Sequence, residues 1–100
     1  MKLEFAQRAL SEIERGKREW LARRDKNPAL FEAELAEALE NIKAVPALGS
    51  PTDIVSRGHL VRRVELRETK YQVYYRQPSE ELVYILAVWG GRRGTKPQLR

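Results

Sequence analysis

The 100-residue chain has no cysteine and a single histidine, His59. A disulfide framework, a thiolate metal site and a zinc site of the His-rich kind are thereby excluded, and neither a metal nor a cofactor is expected. Long apolar runs are missing as well, for no stretch approaches the roughly 20 residues needed to cross a bilayer. The opening Met1-Lys2-Leu3-Glu4-Phe5 is too short and too acidic to start a secretion signal, so the expectation is a cytoplasmic protein with no membrane partner. Internal repeats, low-complexity tracts and heptad runs are absent too. Acidic residues are scarce in one part only. Residues 1–58 hold ten Lys or Arg against ten Asp or Glu, whereas residues 59–100 hold nine against four, so the net charge of +5 belongs to the C-terminal part. Such a local excess of arginine suggests an anionic partner, either a phosphate backbone or an acidic protein surface.

What is present reads as one domain spanning residues 1–100, long enough for one modest core. Three runs between His59 and Gly91 are rich in β-branched and aromatic residues: Leu60–Arg67, Tyr71–Arg76 and Leu82–Trp89. Short polar links, Glu68-Thr69-Lys70 and Gln77–Glu81, join them, which suits hairpins and predicts a three-stranded antiparallel meander. In the first run Leu60, Arg62, Val64 and Leu66 share a mainly apolar face; Val61, Arg63, Glu65 and Arg67 share a mainly charged one. The third run has no polar face, which predicts a central strand covered on both sides.

Upstream, Leu3 and Phe5 alternate with charged neighbours as in a short strand. A helix is predicted from Gln7 to about Arg24, with Leu10, Ile13, Trp20 and Leu21 on its apolar stripe, Glu12 outside it, and Gly16 weakening it by about 1 kcal/mol. Asn27 and Pro28 suit the cap and first turn of a second helix, running to about Lys43 on Phe31, Leu35, Ala38, Leu39 and Ile42. Its glutamates, Glu32, Glu34, Glu37 and Glu40, read as a solvated row. The two helices form a hairpin whose stripes cover the meander. Two prolines and two glycines in Val45–Gly58 argue against a regular element there, and an ordered loop or lid is expected. The fold class is α+β, in the order β-α-α-β-β-β.

This order, with Val45-Pro46-Ala47-Leu48-Gly49, Arg62-Arg63-Val64, Tyr71-Gln72-Val73-Tyr74-Tyr75-Arg76 and Ala87-Val88-Trp89-Gly90-Gly91-Arg92-Arg93-Gly94 at these positions, resembles the RelE/ParE superfamily of bacterial toxins. The resemblance runs from Leu3 to about Pro97. It implies the toxin half of a type II toxin–antitoxin module, of the kind associated with plasmid stabilisation, neutralised by a cognate antitoxin that wraps it. A homodimer or a toxin–antitoxin hetero-oligomer would fit. RelE-type members cut mRNA on the ribosome with a basic cluster and often a C-terminal tyrosine, and ParE-type members poison DNA gyrase without that cluster. Here Gln72 stands where the ribonucleases tend to have a basic residue, Arg63 is followed by acidic Glu65, and no tyrosine follows Arg93. The ParE-like branch is therefore the first reading.

Metal-free RNA cleavage needs a base near the 2′-hydroxyl, cations on the phosphate and an acid for the leaving oxygen. Arginine stays protonated and is a poor proton shuttle, which leaves His59 as the sole imidazole. The second reading, a ribosome-dependent mRNA endonuclease, would use His59, Arg63, Arg67 and Arg92. A third is a binding module of the same fold without toxicity. In the first reading Arg62, Arg63, Arg67, Arg76, Arg92 and Arg93 contact the target, extended by the tail Thr95 to Arg100, and Trp20, Tyr74 and Trp89 contact the antitoxin. The expectation is that these arginines gather on one open flank of the sheet.

Overall fold

A computed structural model describes residues 1–23, 27–90 and 97–99. The elements are β1 (Lys2–Phe5), α1 (Gln7–Leu21), α2 (Leu30–Ala44), β2 (Ser50–Ser56), β3 (His59–Glu65), β4 (Gln72–Ser79) and β5 (Leu82–Trp89), with a 3-10 turn at Pro46–Leu48. The α+β class and the order of strand, helix pair and meander agree with the sequence reading. The sheet is mixed. Its strand order is β1-β5-β4-β3-β2, antiparallel throughout except that β1 pairs parallel with β5.

The segment read as an irregular loop is in fact the 3-10 turn followed by edge strand β2. The reversal into β3 is made by Arg57 and Gly58, both at positive φ (49° and 81°), the backbone hand that matches the twist of a two-residue hairpin. Pro51 is accommodated because β2 is an edge strand with a partner on one side only, and the pairing with β3 shifts register between Pro51 and Val55. Strand β5 is interior, between β1 and β4, while β4 occupies the middle of the sheet. A register shift against β4 turns Leu86 and Ala87 to the same side, and Val83, Ile85 and Val88 face the helices.

The main core lies under the helices. Phe31, Leu35, Ala38 and Ile42 of α2 and Ala9 and Trp20 of α1 meet Leu66, Val73, Tyr75, Val83, Ile85 and Val88 of the sheet side. The stripe of α1 differs from the one expected: Ala9, Ile13, Gly16 and Trp20 face inward, and Leu10 and Leu21 are exposed. Gly16 is there because a Cβ would sit 2.6 Å from the Phe31 ring, so the residue that weakens the helix also lets the two helices meet. Glu12, expected in solvent, accepts the Val88 N–H at 2.9 Å and holds Arg8 at 2.8 Å. This satisfies a β5 amide that lies beyond the last residue of β5 paired with β1.

A second cluster occupies the opposite face: Val61, Tyr74, Leu86 and Ala87 pack with Leu99, and Ile54, Tyr84 and Trp89 border them. Val61 is completely buried, so the β3 face read as mainly charged carries core at that point.

Candidate functional site

The motif Val45–Gly49 is positioned by two side chains from the sheet. The Tyr75 hydroxyl donates to the Pro46 carbonyl at 2.7 Å and accepts the Gly49 N–H at 2.8 Å. Arg62 Nη1 donates to the Gly49 carbonyl at 2.9 Å. Gly49 must be glycine for this fit, since a Cβ would lie 2.6 Å from the Tyr75 hydroxyl oxygen. Burial pushes the Tyr75 phenol above its ordinary pKa, against the opposing pull of the Gly49 N–H and the Arg62 charge. The latch leaves Val45 and Leu48 facing outward, each more than half exposed.

A second latch closes the far end of α2. Glu34 accepts from the Glu68 N–H at 2.7 Å, the Thr69 N–H at 3.0 Å and the Thr69 hydroxyl at 2.9 Å, which fixes the β3–β4 turn against the helix. Partial burial would raise the Glu34 carboxyl, but these three donors and the Arg67 charge together hold it below its ordinary value. The glutamate row is thus solvated at Glu32, Glu37 and Glu40 and structural at Glu34. Between the latches runs a groove of about 190 Å³ with Ala38, Leu48, Val64 and Leu66 among its lining and Glu37 and Glu65 at its rim.

Among the described residues the arginines are divided: Arg62 and Arg76 line one cavity, whereas Arg63 and Arg67 are set elsewhere. Arg62 is half-buried on the helix side and engaged by Gly49. Arg67, beyond the end of β3, stands 3.7 Å from Glu37 of α2, both side chains well exposed. Arg63 points the other way and lines a groove of about 210 Å³ with Thr52, Ile54 and Tyr74. Arg76 is 7% exposed, its guanidinium 4.8 Å from the Tyr84 ring centre, and its Nε has no hydrogen-bond partner among the described residues. The strand alternation that separates Arg62 from Arg63 is the physical reason: neighbours along a strand face opposite sides. Arg92, Arg93 and the tail residues Thr95, Lys96 and Arg100 lie outside the described residues.

Of the ribonuclease candidates, Arg92 lies outside the described residues, and the other three are spaced out along the backbone of β3 and beyond its end. His59 is half-buried in a cavity of about 170 Å³ with Leu60, Arg62, Tyr75, Arg76 and Gln77. Arg63 is four residues further along extended β3, hence about 13 Å away. Arg67 lies farther still. A base and a phosphate clamp for one scissile bond need hydrogen-bond reach of the same group.

Of the aromatic residues expected to meet an antitoxin, Trp20 and Tyr74 are core. Trp20 is 5% exposed, its indole N–H donates to the Asn27 carbonyl at 2.6 Å, and the Arg23 guanidinium covers its ring at 4.7 Å. Tyr74 is 1% exposed, its hydroxyl donating to Gln72 at 3.0 Å. Trp89 is half-buried at the end of β5, with the Arg8 guanidinium 5.7 Å from its ring centre. Leu48 and the two latches were not singled out as functional from the sequence. The available signal was Val45-Pro46-Ala47-Leu48-Gly49, where apolar residues flank a proline and end at a glycine outside any periodic element.

Fold and surfaces together define a small α+β protein with two grooves on opposite faces of one sheet. A family model described as the ParE toxin of type II toxin-antitoxin system, parDE, matches residues 3–94, and the chain belongs to this family of toxin–antitoxin toxins. No curated protein matches the chain.

Proposed function

We propose that the protein is a ParE-like toxin that inhibits DNA gyrase in the cytoplasm and is neutralised by a cognate antitoxin, the pairing that serves plasmid stabilisation. The family match over residues 3–94 supports the toxin and its antitoxin partner. The observation that carries the choice of target is the divided setting of the described ribonuclease candidates: His59 lines a cavity with Arg62 and Arg76, whereas Arg63 lines a separate groove with Thr52, Asp53 and Tyr74. On the second face Arg63 lines a groove beside Tyr74, with Asp53 also in its lining, and offers one contact for an acidic or phosphate surface. Purified toxin should arrest gyrase supercoiling while leaving ribosome-bound mRNA intact. Undiminished supercoiling together with mRNA cleavage would reverse the choice. Arg63→Ala should weaken the arrest with at most a small loss of thermal stability from its stem packing, because Arg63 is in none of the ion pairs resolved among the described residues.

A further inference from the structure

We infer that the groove between α2 and β3 is where the antitoxin docks, through a segment that carries aliphatic side chains flanked by Lys or Arg. This rests on the toxin–antitoxin reading and adds to it a surface and a partner chemistry.

Three observations carry it. First, Val45 and Leu48 are exposed at 54% and 51%, yet they sit on a turn held at both Pro46 and Gly49 by the buried Tyr75 hydroxyl and at Gly49 by Arg62. An exposed leucine on a fixed backbone loses little conformational entropy when a partner covers it, which is what a preordered contact requires. Second, the groove beside it is framed at its other end by the Glu34 latch on Glu68 and Thr69, and its floor of Ala38, Val64 and Leu66 continues the apolar surface of Leu48. Its volume of about 190 Å³ is below the roughly 300–1,000 Å³ typical of small-molecule sites and suits inserted side chains. Third, the rim reverses the sign of the chain as a whole. The protein carries +5, yet Glu37 and Glu65 edge the groove, with Arg67 offsetting Glu37 only across 3.7 Å at an exposed site where such a pair is weak. Glu65 is exposed, and its carboxylate is in none of the ion pairs among the described residues. A nucleic acid or acidic target is disfavoured at this rim, and a basic segment is steered toward it.

The test is calorimetric titration of the full-length toxin with the purified product of the adjacent antitoxin gene, on variants whose circular dichroism and melting match the parent. Leu48→Asp should weaken binding by about 30-fold or more, the size of a central anchor. Glu37→Lys combined with Glu65→Lys should weaken it by about fivefold to tenfold and flatten its dependence on salt. Leu21→Asp makes the same charge change at a leucine 65% exposed at the end of α1, and should stay within about twofold of the parent. Parent-like affinity for Leu48→Asp would overturn the docking site, and an unchanged salt response in the double variant would overturn the basic partner. If Leu48→Asp loses gyrase inhibition but keeps antitoxin affinity, the groove serves the target and the inference fails. An antitoxin that does not bind the parent toxin would instead sink the module reading beneath it.

Discussion

Helices α1 and α2 seal one face of the sheet with Phe31, Leu35, Ala38 and Ile42, whereas the other face, built on Val61, Tyr74, Leu86 and Ala87, receives Leu99 from the C-terminal segment. On the helix side the polar groups are engaged in shape: Glu12 holds an amide of β5, Glu34 a turn, and Tyr75 with Arg62 the Pro46–Gly49 backbone. On the other side Arg63 lines an open groove, and Arg76 lies buried over Tyr84 with no hydrogen-bond partner for its Nε among the described residues. The long-range ties between side chain and backbone on the first face join helix or turn to sheet, whereas on the second face the Thr52 hydroxyl ties only the neighbouring strands, donating to the Val61 carbonyl and accepting the Ile54 N–H.

The largest test of that contrast is in the helix-side core. Phe31→Ala removes a fully buried ring that fills the space over Gly16 and meets Tyr71 edge-on at 4.7 Å. A loss of about 3–5 kcal/mol is expected by chemical denaturation. Leu99→Ala on the second face should cost less, about 2 kcal/mol, because a terminal segment can settle into the space left. Equal losses at the two positions would mean that the faces are equally closed. Amide exchange should also be faster at Val61 than at Val73, although both side chains are fully buried.

Tyr75→Phe keeps the ring and removes the latch, leaving the Gly49 N–H without its acceptor. The expected cost is about 1–2 kcal/mol. It should also change the alkaline limb. The folded pKa of Tyr75 is raised above 10.0, so its contribution is present below that value and is lost as pH climbs through the folded pKa. The variant should lack this part of the alkaline loss in a urea titration read against pH.

Glu34 acts at the other end of the pH scale. Its folded pKa lies below 4.5, so the stability it adds is present above that value and fades as pH falls through the lower folded one. Glu34→Gln should flatten the acid limb below about pH 4.5 without altering the alkaline limb. The smallest effect is expected at the hairpin. Arg57 holds φ 49° ahead of Gly58, and Arg57→Asn, better suited to that conformation, should stabilise by about 0.5 kcal/mol. A destabilised variant would show that the Arg57 side chain makes a contribution its backbone strain conceals.

Much of this architecture is legible in one dimension. The 3.6-residue spacing of Phe31, Leu35, Ala38 and Ile42 marks α2, and the β-branched runs mark β3, β4 and β5 close to their observed limits. Strand β2 was not legible, since Pro46, Gly49, Pro51 and Gly58 look like breakers until the strand is seen at the sheet edge, the position that tolerates proline. The stripe of α1 misled for a similar reason: Gly16 is apolar surface only because Phe31 arrives there from another helix. In the candidate site, Arg62 and Arg63 look like a pair in sequence and are placed on opposite faces by the pleat.

By itself the sequence determined the class, the helices, the three long strands and the location of the excess positive charge, because periodicity and composition are properties of neighbouring residues. Tertiary structure alone decided which charges are available. Tyr75 meets Pro46 across 29 residues, Glu34 meets Thr69 across 35 and Glu12 meets Val88 across 76, and each of these contacts fixes a surface or withdraws a polar group from it. Bonds over such separations depend on how the whole chain closes, and no local pattern encodes them.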